Sequence, residues 1–110
     1  MEFDWDGYIS SVTDATAKAA LEKLQAVGQD AAQKGAEYVV QQYALIQKYT
    51  EQKAKGEITE DEYKSLMLDL ADIMKLEALK SNIATRKLIN DLVTTTLDIA
   101  MNCLSALIIL

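Results

Sequence analysis

This chain of 110 residues predicts an all-α fold: a long antiparallel helical hairpin, coiled-coil-like, packed in an oligomeric bundle. Three observations predict it. There is no proline and only four glycines, so little in the chain breaks a helix. The segment Lys55-Gly56-Glu57-Ile58-Thr59-Glu60-Asp61-Glu62-Tyr63 carries a helix stop followed by a helix start. Before that segment, apolar and small residues recur at alternating spacings of three and four, the pattern of a helical seam. Half of the residues are apolar and a quarter are charged, a composition that folds, and the length allows at most one domain, residues 1–110.

Residues 1–10 form a lead-in arm in which Phe3, Trp5, Tyr8 and Ile9 are available to dock on helices. The first helix is expected over residues 11–55, opened by Ser11 with Asp14 three residues on. About 45 residues at 1.5 Å each make a rod roughly 65–70 Å long. Along it Leu21, Leu24, Gly28, Ala31, Gly35 and Tyr38 make a packing stripe that Gln42, Leu45 and Tyr49 continue. Each interior glycine costs about 1 kcal/mol against alanine, which close approach of another helix would offset. The turn follows at about 55–59. Gly56 takes the left-handed conformation that ends a helix. Thr59 and Glu62 form a capping box, with Ile58 and Tyr63 as its hydrophobic staple.

The second helix is expected over residues 60–110. Leu66, Met67, Leu70, Ile73, Met74 and Leu76 give its first part a broad apolar face, and Lys80, Arg86 and Lys87 turn its middle basic. Residues 88–110 are strongly apolar, with Leu97, Ile99, Leu104, Leu107 and Ile108 among them. Their polar residues are not scattered: Asp91, Thr95, Asp98, Asn102 and Ser105 fall on one narrow stripe. Such a helix is either enclosed on three sides by protein, or it spans a bilayer with its stripe turned away from lipid. A solitary two-helix hairpin covers only part of each helix, so these side chains predict association with protein or with lipid.

The segment Gly56-Glu57-Ile58-Thr59-Glu60-Asp61-Glu62-Tyr63 resembles the SHOCT module, a short bacterial and phage helical motif of the form G-x-I-T-x-x-E-F. The resemblance covers about residues 43–70. This sequence departs from the module by keeping only Lys64 of the lysines usual after the aromatic residue, and by continuing some 45 residues beyond it. The resemblance implies an oligomerising or docking hairpin without an activity of its own. In general character the chain is similar to small helical virion proteins of tailed phages.

No catalytic constellation is present in the sequence. There is no histidine, which removes the commonest general base and metal ligand. The one cysteine, Cys103, sits in an apolar run and reads as a packed hydrophobe. No glycine-rich phosphate loop or metalloprotease motif occurs, and no cofactor or metal is expected. A formal net charge of −6 disfavours nucleic acid as a partner. No signal peptide is expected, because Met1 to Asp6 is acidic and no apolar run follows.

The expected function is non-enzymatic: a structural or assembly protein, a component of a virion or of an injection or secretion machine, whose partners are further copies of itself or other helical subunits. The alternative is a membrane protein in which residues 88–110 form a transmembrane anchor or a pore stave. A third reading takes the acids between Glu57 and Asp72 as the face of an inhibitor of a nucleic-acid-binding protein.

Overall fold

Five α-helices and one 3₁₀ turn, not two long rods, make up the described residues: α1 (Trp5–Ser11), α2 (Ala15–Gln33), α3 (Glu37–Ala54), α4 (Glu60–Lys80), α5 (Ile83–Asn102) and the 3₁₀ turn Leu104–Ala106. The structure, a computed structural model, describes residues 4–107. Its longest dimension is 41 Å and its radius of gyration 13.3 Å, so the 65–70 Å rod and the hairpin built on it are corrected.

Each expected long helix is broken by local chemistry. The first begins as a separate short helix. Asp4 caps α1 by accepting from Gly7 N at 3.0 Å, and the Ser11 hydroxyl donates to Tyr8 O at 2.7 Å at its end. Ser11 therefore closes one helix, and Asp14 opens the next by accepting from Ala17 N at 2.8 Å. The second break is Lys34-Gly35-Ala36. Gly35 has φ +68°, Ala36 N donates to Ala31 O at 2.9 Å, and Gly35 N donates to Ala32 O at 3.3 Å. This is the Schellman closure that also ends α3, where Gly56 has φ +75° and Glu57 N donates to Gln52 O at 2.8 Å. Gly35 thus ends a helix and is exposed, instead of lying in a packing stripe.

The expected turn at 55–59 is present in detail. Thr59 Oγ1 accepts from Glu62 N at 3.1 Å, and Glu62 Oε1 accepts from Thr59 N at 3.0 Å. Ile58 is half-buried and Tyr63 fully buried. The second expected helix breaks at Ser81-Asn82. Asn82 caps α5 by accepting from Thr85 N at 2.8 Å, and Arg86 reaches back to carbonyls at the end of α4, Ala78 O at 2.9 Å and Ser81 O at 3.1 Å. Only two residues join α4 to α5, so α5 folds back along α4.

That return makes α5 the centre of the fold. It packs on α4 most extensively, then on α2 and on α3. Leu92, Ile99 and Leu107 are wholly buried, as are Leu21 and Leu24 of α2, Ile46 of α3, and Met67 and Met74 of α4. Helices α2, α3 and α4 around α5 give the cover that two rods would not. Most of the described apolar residues beyond position 88 are therefore enclosed or half-enclosed by their own chain, with Met101 exposed; Ile108 lies outside the described residues.

Candidate interaction surface

The outer face of α4 and the corner into α5 hold the exposed apolar side chains of this fold. The inner face of α4, with Tyr63, Met67, Leu70, Ala71, Met74 and Ala78, is buried against the bundle. Helical spacing then turns Ile73, Leu76 and Leu79 outward, where they are 54, 64 and 74% exposed. Ile83, the first residue of α5, is 84% exposed at the corner. Met101 is also exposed, near the end of α5. Asp69, Asp72, Lys75 and Lys80 are exposed around the α4 face. A shallow depression on its first half is lined by Asp61, Glu62, Ser65, Leu66 and Asp69.

The residues singled out from the sequence fall in several places. In the packing stripe, Leu21, Leu24 and Ala31 are fully buried on α2. Gly28 is buried there too, and a Cβ on it would run into the ring of Tyr43 on α3, so the close neighbour is an aromatic ring and not a helix backbone. Tyr38 is half-buried on α3, and its phenol is pushed up, first by burial and then by the charge of Glu77. In the apolar segment Ile99 and Leu107 are enclosed, while Leu97 and Leu104 are half-buried. In the polar stripe Asp91, Asp98, Asn102 and Ser105 face water; Asn102 Nδ2 donates to Asp98 Oδ1 at 2.8 Å. Thr95 does not belong to that exposed row: it is buried, and its hydroxyl donates to Asp91 O at 2.8 Å.

A buried polar cluster joins the ends of the helices. The hydroxyls of Thr50 and Tyr63 lie 2.8 Å apart, and Thr50 Oγ1 also lies 2.7 Å from Ile46 O. Burial pushes the Tyr63 phenol up, and the Tyr8 phenol up to about 12. Burial, with the charges of Asp98 and Asp14, pushes the Cys103 thiol up, which leaves less of the reactive thiolate. Lys53 is buried, with its ammonium 3.3 Å from Leu107 O and 4.0 Å from Glu60 Oε1. The N-terminal segment docks on its own chain: Tyr8 and Ile9 are buried, and Gln25 Nε2 donates to Asp6 Oδ1. These contacts tie elements together.

Among the described residues, no group of three or more His, Cys, Asp or Glu side chains is placed to hold a metal ion. Nor is any described helix long and apolar enough to cross a membrane. Helix α5 starts at Ile83, includes Arg86, Lys87, Asp91 and Asp98, and ends at Asn102, so the apolar run is divided between a charged helix and a 3₁₀ turn. Leu79 and Ile83 were not legible as surface residues from the sequence. They look like core until the break at Ser81-Asn82 turns the chain. No protein-family model matches the chain, and neither the curated proteins nor the solved structures contain a match.

Proposed function

We propose that this protein works by association: it is a non-enzymatic structural subunit that offers the outer face of α4 and the α4–α5 corner to other helices, in the first place those of further copies of itself. One observation carries this reading. Among the described residues, four of the five exposed large apolar side chains, Ile73, Leu76, Leu79 and Ile83, lie on α4 and its corner into α5, and the fifth is Met101. Full burial of such a side chain stabilises by roughly 1.5–3 kcal/mol, and adjacent outward-facing ones mark a contact surface. The premise differs from that of a two-rod hairpin, because the C-terminal segment is covered from within.

The test is mass in solution. Sedimentation equilibrium in detergent-free buffer, from about 1 to about 100 micromolar, should show mass rising above the 12.2 kDa chain. Replacing Leu76 by Asp should lower that mass while leaving the helical circular dichroism intact. A single 12.2 kDa species at every concentration overturns the reading. If that species also floated with lipid vesicles, the face would be a lipid contact instead.

A further inference from the structure

We infer that α4 pairs with α4 of a second copy, antiparallel, about a two-fold axis at the level of Met74 and Lys75. This rests on the association proposed above and names its partner and register. The outward row of α4 is Leu66, Asp69, Ile73, Leu76 and Lys80, with spacings of three, four, three and four; beyond the break at Ser81-Asn82, Ile83 opens α5 and stands exposed at the corner. Spacings that average 3.5 keep such a row on one side of a helix facing a partner.

The order of residue types in that row is complementary to its own reverse. Turned end over end, Ile73 meets Leu76 of the partner subunit, Asp69 meets Lys80 of the partner subunit, and Leu66 meets Ile83 of the partner subunit. Every apolar side chain meets an apolar one and every acid meets a base, each pairing occurring twice by symmetry. The Asp69–Lys80 pairs lie about 8 Å either side of the axis, at 1.5 Å per residue. The depression lined by Asp61, Glu62, Ser65, Leu66 and Asp69 lies where Ile83 of the partner subunit would seat, and Ile83 is 84% exposed. A parallel pair would instead stack Asp69 on Asp69 and Lys80 on Lys80, which like charges oppose. A lipid surface suits the face less well, because Asp61, Glu62, Asp69 and Asp72 are exposed along it and would be repelled by anionic headgroups.

One helix pair buries less than the roughly 800 Å² per partner of a standard stable interface, so the dimer is dissociable and is sought at on the order of 100 micromolar. Disulfide trapping reads its register. Ile73→Cys and Leu76→Cys are made separately in the full chain, one carrying a mass tag, then mixed and mildly oxidised. The native Cys103 is buried, so the wild type serves as the blank. The expected product is the mixed disulfide, in several-fold excess over either homodisulfide. Single charge reversals, Asp69→Lys or Lys80→Asp, should weaken the dimer about fivefold to tenfold, and the double variant should restore it. Predominant homodisulfides, or no rescue by the double variant, would overturn the antiparallel register. A multimer that forms without any trapping at these positions would overturn the α4 pairing yet leave association standing. A monomer throughout would overturn both.

Discussion

The ammonium of Lys53 donates to the carbonyl oxygen of Leu107 across 3.3 Å, joining the end of α3 to the last described residue of the chain. Lys53 is 6% exposed, and Glu60 Oε1 at 4.0 Å provides the nearby negative charge. A charge-assisted bond of this kind is worth about 1.5–3 kcal/mol. Lys53→Ala should therefore lower stability by about that much in urea titration. Lys53→Met should cost less, because it keeps the packed stem and buries no charge. Equal losses in the two variants would mean that the packed stem contributes little, and an unchanged Lys53→Met would mean that the bond to Leu107 contributes little beyond packing.

Alkaline pH should unfold this protein through its tyrosines. The phenols of Tyr8 and Tyr63 start from an ordinary value of 10.0 and are both pushed up by burial, Tyr8 to about 12. Above about pH 10 the unfolded chain gives up these protons while the folded chain keeps them, so stability falls as pH rises. Below that pH the two groups contribute no slope. The urea midpoint should therefore drop above about pH 10, and tyrosinate absorbance should rise together with loss of helical signal. Tyr63→Phe should flatten the drop, though it loses the 2.8 Å bond with Thr50.

Thr96 offers a route to a more stable protein. It is fully buried on α5, and its hydroxyl has no hydrogen-bond partner among the described residues. Its neighbours Thr94 and Thr95 each donate to the carbonyl four residues back, at 2.9 and 2.8 Å. Thr96→Val keeps the shape and removes an unsatisfied polar group. The expected gain is about 1 kcal/mol in denaturant unfolding. Thr95→Val, which removes a satisfied hydroxyl, should give no such gain.

Gly28 within α2 and Gly35 just beyond its end differ in what a methyl group would do. At Gly28 it would strike the ring of Tyr43, so Gly28→Ala should cost about 1–3 kcal/mol, and a smaller side chain at position 43 should recover part of it. At Gly35 nothing lies within 4 Å, but φ is +68°, so Gly35→Ala should cost about 1–2 kcal/mol through backbone strain alone, with no rescue from position 43. Thermal unfolding of the two single variants and of each combined with Tyr43→Leu would separate the two causes.

The all-helical class and the Gly56–Tyr63 turn were legible because several local signals coincided there: a basic last turn, a glycine, a capping box and a staple. Gly35 carries the same Lys-Gly signature as Gly56 and makes the same closure. In sequence it fits a seven-residue pattern because no capping side chain follows it; α3 starts at Glu37, and its N-cap Ala36 makes no side-chain cap bond. In sequence Asn82 looks like a polar residue within a helix, since neither glycine nor proline marks the break. Only the tertiary payoff of folding α5 back against α4 separates an internal asparagine from a capping one. The outward face of α4 could not be seen until that break was known. Ile73 and Leu76 look the same in sequence as Met67 and Met74, and the side left uncovered depends on where the other helices go.

Helix α4 is fastened at both ends, by the Thr59–Glu62 box at one and by Arg86 on Ala78 O and Ser81 O at the other. Its exposed row is thus already held in its final shape before anything meets it. A partner docking there would lose its own tumbling freedom but would not have to freeze a loose segment, so even a small contact can form quickly and let go quickly.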